Sequence, residues 1–223
     1  MRAKTCLLIF TDGRGEYLVR TLRAFKQYVD WEFDATILVD DSNDPSYRGF
    51  LEGICGEFRM EIQSNPTRLG IAGTVARAWG ELLPADAAYI FHLEDDFTVQ
   101  RKLKIEEMIE VLEKNKYLTQ IALMRQPWNE AEKAAGSIWN LLPDAWTQQA
   151  GWVEHRVFGW TGNPSLYPHW ITQAGWRVER ECEGRFSGRL LLNTSLRSAF
   201  WGKVGDPPWV EHIGVIRKGP WVT

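Results

Sequence analysis

The first half of the chain alternates strand-like and helix-like stretches with short connections, and this rhythm constrains the fold more than any other feature. Short apolar runs predict buried strands at Lys4–Thr11, Ala35–Val39, Met60–Gln63, Ala88–Leu93 and Leu118–Met124. Apolar residues at helical spacing predict helices at Glu16–Tyr28, Ile71–Leu83 and Lys102–Lys114. Alternation of this kind is typical of a mostly parallel sheet flanked by helices. The sequence therefore predicts an α/β fold.

The second half of the chain lacks this regular alternation. From Gln126 to Pro168 the sequence is rich in Trp, Gly, Pro and Asn and has few clean periods, so we predict a loop-rich region. Long irregular segments within a domain are commonly binding loops or lids. Ten of the twelve tryptophans lie after Gln126, and packing is a better explanation than ligand contact for any one of them.

Composition narrows the class of protein. A chain of 223 residues can bury a substantial core, and we expect one domain. The three cysteines, Cys6, Cys55 and Cys182, fit neither a disulfide framework nor a zinc site. The apolar run Cys6–Phe10 is too short for a signal peptide, and no stretch reaches the length of a membrane span, so we expect a cytoplasmic protein. A net charge of −3 does not favour nucleic acid as a partner, although a local basic face is still compatible with it.

The stretch YIFHLEDDF, Tyr89 to Phe97, carries the clearest chemical signal. An apolar strand that ends in three consecutive acids delivers carboxylates to one edge of a sheet. Packed carboxylates repel one another, and they are relieved either by solvent or by a hard cation such as Mg²⁺ or Mn²⁺. A solvated acidic turn is therefore the alternative to a metal site.

Polar residues follow the other predicted strands as well. They are Thr11-Asp12-Gly13 after the first strand, Asp40 to Asp44 after the second, and Ser64-Asn65 after the third. Ligands bind outside the carboxyl ends of the strands in open parallel sheets, so these residues should line one crevice with the acids. Turn formation and helix capping explain Ser42 to Asp44 equally well, but they explain Asp40 poorly.

Four motifs, in this order and spacing, resemble those of nucleotide-sugar glycosyltransferases of the GT-A fold, closest to the family 2 type. They are ILVDDSND at 37–44, NPTRLGIAGTVARAW at 65–79, HLEDDF at 92–97 and VEHIG at 210–214. The resemblance implies a metal-dependent hexosyltransferase that moves a sugar from a nucleotide-diphosphate donor, expected to be a UDP-sugar, to an acceptor hydroxyl of unknown class. It also implies a nucleotide-sugar-binding half at residues 1–125 and an acceptor-binding half at residues 126–223.

The same resemblance assigns roles to individual residues. Asp40 would recognise the nucleotide base, and HLEDDF resembles the DxD motif. Glu94 would face the ribose or a metal-bound water, and Asp95 is an adjacent possibility. Asp96 would bind Mn²⁺ or Mg²⁺, and His212 would complete the metal or diphosphate site. The nucleotide-sugar site would also include Thr11, Asp12, Asn65 and Arg68, and Arg68 has an alternative as a surface arginine on a loop.

An inverting enzyme of this kind also needs a general base for the acceptor hydroxyl. The segment WRVERECEGRFSGRLL offers Glu183 and then Glu181, but it lacks the adjacent Glu-Asp pair of family 2. Either acid could instead form a helix-surface salt bridge with Arg180 or Arg185, and a retaining mechanism then becomes more attractive. Gly162 to Pro168 resembles the loop that receives the acceptor and the donor sugar.

Three other functions compete with this interpretation. A sugar-phosphate nucleotidyltransferase shares the sheet and the carboxylates, but it needs a glycine-rich, basic phosphate loop that Thr11 to Gly15 only faintly resembles. A non-catalytic carbohydrate-binding scaffold could keep the fold without a base. A glycoside hydrolase uses two separated carboxylates and needs neither metal nor nucleotide.

Overall fold

The computed structural model describes residues 2–214. The strands are β1 Thr5–Thr11, β2 Ala35–Asp40, β3 Glu61–Ser64, β4 Tyr89–Glu94, β5 Phe97–Val99, β6 Leu118–Ala122, β7 Trp146–Gln148, β8 Trp152–His155, β9 Ser165–Pro168, β10 Arg197–Trp201 and β11 Val210–His212. The α-helices are α1 Gly15–Tyr28, α2 Pro45–Phe58, α3 Gly70–Arg77, α4 Ile105–Lys114, α5 Glu130–Ala135, α6 Ile138–Leu141 and α7 Cys182–Leu191. None of the helices in this described part is long and apolar enough to cross a membrane.

Nine of these strands form one sheet in the order β3-β2-β1-β4-β9-β6-β10-β8-β7, and β5 pairs with β11 in a separate ribbon. The pairings β3-β2, β2-β1 and β1-β4 are parallel. Strands β9 and β8 run against their neighbours, so seven of the nine strands point the same way. The prediction of a mostly parallel α/β sheet is confirmed. The sheet takes strands from both predicted halves of the chain.

Alternate side chains of β1 explain why helices cover both faces of the sheet. Leu7 and Ile9 point into a core formed with α1, α2 and α4, while Cys6, Leu8 and Phe10 point into a second core formed with α3 and α7. A strand whose successive residues are all buried needs a layer on each side. The register of β1 places Thr11 beside Asp40 and Phe10 beside Glu94, which aligns the polar strand ends at one edge.

Most of the predicted elements begin or end within a few residues of the observed ones, but several observed elements were not predicted, among them β5, β10 and β11. Helix α2 lies in a stretch for which the sequence analysis predicted no helix. Its start carries a recognisable signal, because Asp44 caps the helix by accepting from the backbone N–H of Ser46, and Pro45 occupies the first turn. Tyr47, Leu51 and Cys55 form its buried stripe.

The prediction of a loop-rich region between Gln126 and Pro168 is only partly right. It contains the short helices α5 and α6 and three strands of the main sheet, one of which, β9, lies between β4 and β6. These strands are three or four residues long, too short for an alternating pattern to emerge in the sequence.

Tryptophan packing accounts for much of the second half. Trp79, Trp160 and Trp176 pack edge to face with each other and with Phe186. Trp139 and Trp146 form a smaller cluster with Phe200. Trp128 differs, because it is 39% exposed and faces the site described below. All three cysteines are buried and carry free thiols.

His155 gives this smaller cluster a pH dependence that can be measured. It is buried against Phe158 and Phe200, and burial lowers its pKa to about 3. The folded protein keeps this ring neutral, whereas the unfolded chain protonates it near pH 6.5, so the unfolded state binds more protons below that pH. We expect protonation of His155 in the unfolded chain to lower the unfolding free energy by about 2 kcal/mol as the pH falls from 6.5 to 5. Urea unfolding of the wild type and of His155→Phe at the two pH values measures this effect. Between pH 6.5 and pH 5, the unfolding free energy should fall less in His155→Phe than in the wild type, by this amount.

Phe158→Leu is the matched control, since it disturbs the same cluster without removing a titrating group. It should lower the unfolding free energy equally at both pH values. An acid-induced loss that stays the same in His155→Phe would contradict the prediction.

Candidate active site

A cavity of about 390 Å³ opens at the carboxyl ends of β1 and β4, as expected for a parallel sheet. We call it the main cavity. Its walls include Asp12 and Arg14 after β1, the acidic turn Glu94–Asp96, and His212 from β11. The far side is formed by Gly162 and by Glu183 of α7. The structure therefore brings acids from four separate parts of the chain to one cavity, since Asp41 also lines it.

The three acids of the turn have different surroundings. Asp95 is fully buried and accepts from the Thr11 hydroxyl at 2.8 Å and from the guanidinium of Arg14. Its backbone carbonyl accepts from the hydroxyl of Thr21 in α1. These contacts tie the turn to β1 and α1, so Asp95 acts as an anchor for the site.

Asp96 contacts His212 at the wall of the main cavity. The Nε2 atom of His212 lies 3.2 Å from Oδ2 of Asp96, and the same oxygen accepts from Nη1 of Arg14 at 2.5 Å. Burial by itself raises the pKa of Asp96, but the contacts with His212 and Arg14 outweigh it and hold the pKa below its usual range. Asp96 is therefore ionised at neutral pH.

The ring of His212 is held in a fixed orientation. It stacks on Phe97 with 4.5 Å between centroids and contacts Trp128 at 4.1 Å. The side chain of Gln126 accepts from the backbone N–H of His212 and donates to its carbonyl. The pairing of β11 with β5 sets His212 beside Phe97 and thereby next to the acidic turn. Gly214 packs directly against Asp96, because a Cβ at position 214 would lie 2.1 Å from Oδ2 of Asp96.

Glu94 and Glu183 form a pair of acids in the main cavity. A Cβ on Gly162 would lie 3.0 Å from Oε1 of Glu94 and 3.2 Å from Oε2 of Glu183, so the absence of a side chain leaves room between the two carboxylates. Burial, reinforced by repulsion from Asp96 and Glu183, raises the pKa of Glu94 to about 8. The raised pKa favours the protonated form of Glu94, in which the carboxyl group can donate a hydrogen bond.

Glu183, but not Glu181, belongs to this site. Glu183 lies in the first turn of α7 and lines both the main cavity and a neighbouring cavity of about 210 Å³, which we call the side cavity. Glu181 precedes the helix with a left-handed backbone (φ 55°), is exposed, and lines neither cavity. Glu183 is therefore placed to act on one ligand in the main cavity and another in the side cavity.

Some of the residues predicted to contact the nucleotide line the main cavity, and others do not. Thr11, Asp12 and Arg68 line the main cavity, and Nη2 of Arg68 lies 3.3 Å from Oδ2 of Asp12. Asp40 is buried outside the lining and accepts from the backbone N–H of Ser42. Asn65 is buried too, and it donates to Asp41 and to Thr74.

The sequence analysis gave no individual role to several residues of the site. Asp41 lines the cavity in place of Asp40 and accepts from the backbone N–H groups of Leu69 and Gly70, at the start of α3. Arg14, Arg125 and Trp128 line it as well. The run Asp40-Asp41 was a visible signal, but nothing in the sequence tells which of two adjacent acids turns toward the cavity.

The donor set suits a divalent cation that brings further ligands with it. Oδ1 of Asp96 is buried and has no hydrogen-bond partner among the described residues, and His212 offers a ring nitrogen beside it. No cluster of three or more acids, histidines or cysteines arranged to hold a metal ion occurs in residues 2–214. Mg²⁺ is often held by one or two carboxylates together with substrate phosphates. Asp96 and His212 therefore fit an ion that is completed by a phosphate-bearing ligand.

Comparisons with known proteins identify the fold. The sequence matches no protein-family model and no curated protein sequence. Three solved structures align over most of the chain: TarS of S. aureus (TM-score 0.61, 93% of this chain), GalNAc-T7 with UDP, GalNAc and Mn²⁺ (0.67, 94%), and the mannosyltransferase PcManGT of Pyrobaculum calidifontis with GDP-Man and Mn²⁺ (0.66, 99%). The fold is that of GT-A glycosyltransferases.

Sequence identity to these structures is low, and the chain covers only part of each of them. Identity is 11% in all three cases, so the comparison establishes the GT-A fold and leaves activity to be argued from the site. This chain spans 36%, 44% and 59% of those proteins, respectively.

Proposed function

We propose that this protein is a glycosyltransferase that moves a hexosyl group from a nucleotide-diphosphate donor to an acceptor hydroxyl, with the GT-A arrangement of family 2. The observation that carries the proposal is the meeting of Asp96, His212 and Glu183 at one cavity on the carboxyl edge of a GT-A sheet. Two of the structural neighbours bear a UDP or GDP-sugar ligand and Mn²⁺ in their own structures.

The donor would occupy the main cavity, with a UDP-sugar as the expected donor. Asp12 and Arg68 near β1, and Asp41 at the start of α3, are available to the nucleoside. Asp40 would contribute by holding the turn at Ser42. Glu94, as a neutral acid, can donate a hydrogen bond to a ribose or sugar hydroxyl.

Metal dependence is part of the proposal, with Mn²⁺ or Mg²⁺ held by Asp96 and His212. When bound, such an ion stabilises the negative charge that builds up on a departing diphosphate. The chain's own contribution is to orient its ligands: Gln126, Phe97 and Trp128 fix the ring of His212, while Arg14 and Asp95 hold the acidic turn.

Glu183 is the proposed general base of an inverting transfer. It lies where the main cavity meets the side cavity, so it can reach an acceptor hydroxyl that approaches the donor sugar. The side cavity suits a sugar-like acceptor, because Phe158 gives it an apolar wall and Asn163 and Glu183 give it polar groups.

A thermal-shift panel tests donor binding directly. UDP, GDP, CDP and dTDP are each added with Mn²⁺ and, separately, with EDTA, because a ligand that binds only the folded state raises Tm. At a hundred times its Kd, one nucleotide should stabilise the protein by about 2.7 kcal/mol, and only with Mn²⁺. The matching monophosphate is the control. No shift with any diphosphate would contradict the transferase and favour a carbohydrate-binding scaffold or a hydrolase.

A further inference from the structure

Arg14 lies at the centre of the acidic part of the site, although its position in the sequence gave no hint of a role. It is the residue before α1, and its side chain is 13% exposed. Its guanidinium contacts three carboxylates: Nε lies 2.7 Å from Oδ1 of Asp12, Nη1 lies 2.5 Å from Oδ2 of Asp96, and Nη2 contacts Oδ1 of Asp95. Arg14 is thus an internal cation between acids that would otherwise repel one another.

This guanidinium is charged at neutral pH. Burial alone lowers the pKa of Arg14, but Asp95, Asp96 and Asp12 more than reverse that effect and hold the pKa above its usual value. A guanidinium has five N–H groups. Nη1 donates to Asp96 and Nη2 to Asp95, while Nε lies beside Asp12 without donating a hydrogen bond to it. Three of the five N–H groups are therefore left for an anion in the main cavity, which Arg14 lines.

Arg14 and a divalent ion would share the same carboxylate. Oδ2 of Asp96, which faces His212, is also the oxygen that Nη1 of Arg14 contacts. A divalent ion held between Asp96 and His212 would therefore lie close to the guanidinium, and two cations at such separations repel strongly in a partly buried site. Asp12 and Asp95 contact other nitrogens of Arg14, Nε and Nη2, and can retain it when the contact with Asp96 is lost.

We propose that Arg14 is the resident counter-ion of the donor site and competes with the divalent cation for Asp96. The metal then binds tightly only together with a diphosphate. When Arg14 gives up its hydrogen bond to Asp96, the diphosphate accepts a hydrogen bond from the same guanidinium. Arg14 thereby couples the binding of the metal to the binding of the nucleotide. This inference rests on the metal-dependent donor site proposed above, and it adds a residue that the resemblance did not supply.

The coupling is tested by Mn²⁺ binding, measured from the loss of the EPR signal of free Mn²⁺, without any turnover. Wild-type protein, Arg14→Gln, Arg14→Lys and Arg23→Gln are titrated with Mn²⁺ alone and then with UDP or GDP present. Arg23 is the control, because it is an exposed arginine of α1 that does not line the cavity. Circular dichroism and Tm check that each variant is folded.

We expect Arg14→Gln to bind Mn²⁺ alone about tenfold to hundredfold more tightly than the wild type, the range that one charge-assisted hydrogen bond supports. The tightening of Mn²⁺ binding by a nucleoside diphosphate should shrink by a similar factor, and Arg23→Gln should match the wild type. Arg14→Lys keeps the charge but cannot bridge Asp95 and Asp96 as a planar fork does, so its Mn²⁺ affinity should be intermediate. It also serves as the informative variant if Arg14→Gln does not fold.

Two results would overturn the inference. One is Mn²⁺ affinity in Arg14→Gln and Arg14→Lys no higher than in the wild type. The other is a nucleotide-induced Tm shift in the wild type that needs no divalent ion, which would leave the transferase intact but remove the competition. Tighter Mn²⁺ binding in Arg14→Gln with no effect of any nucleotide would instead retain Arg14 as the competing cation and contradict the proposed transferase.

Discussion

Glu183→Gln should lower kcat by about 10²- to 10⁴-fold, the range that general-base catalysis supplies, and leave nucleotide affinity close to that of the wild type. The substitution keeps the size of the side chain and removes only its ability to take a proton. Glu183 lies at the junction of the main and side cavities, across the space left open by Gly162 from Glu94. Transfer rates with the donor identified by the thermal-shift panel would measure the loss, and the Tm shift would measure binding separately.

Glu181→Gln is the matched control, two residues away in the same segment. Its side chain is exposed and lines neither cavity, so kcat should stay within about twofold of the wild type, as for an ordinary surface substitution. A large loss in Glu181→Gln with none in Glu183→Gln would reverse the assignment. Normal rates in both variants would favour a retaining mechanism.

The parallel half of the sheet could be predicted because its elements carry local signals. Strand β1 is buried along its whole length and reads as one apolar run, and α4 carries a regular apolar stripe of Ile105, Met108, Ile109 and Leu112. The short strands β7 and β8 have no such signal. Strand β8 pairs with β10, more than forty residues later, and β7 pairs with β8 at the edge of the sheet. Long-range pairing of this kind leaves no trace in a short window of sequence.

The acidic turn and His212 could be anticipated from their motifs, but their surroundings could not. Arg14 meets Asp95 and Asp96 across more than eighty residues, and only the parallel pairing of β1 with β4 brings them together. The choice between Glu181 and Glu183 likewise depends on the left-handed backbone at Glu181, from which α7 begins. Such local turns are set by tertiary packing, which a sequence pattern does not describe.

Asp96→Ala should abolish the Mn²⁺-dependent Tm shift with the nucleoside diphosphate and lower kcat/KM by about 10³-fold or more. A metal that stabilises a departing diphosphate contributes several kcal/mol, and each 1.36 kcal/mol corresponds to a factor of ten in rate. Asp96 supplies the one buried carboxylate oxygen of the acidic turn that has no partner among the described residues, and it faces His212. The fold should survive, because Arg14 keeps Asp12 and Asp95 as partners.

Asp95→Asn distinguishes a metal ligand from an anchor within the same turn. Asp95 is fully buried and accepts hydrogen bonds from Thr11 and Arg14, so replacing its carboxyl group by an amide should lower Tm by weakening the link between β1 and the turn. The Mn²⁺-dependent nucleotide shift should persist in Asp95→Asn, since Asp96 and His212 are unchanged. If instead Asp95→Asn loses the shift and Asp96→Ala keeps it, the metal belongs on Asp95. Arg14 would then compete with it at a different carboxylate from the one proposed.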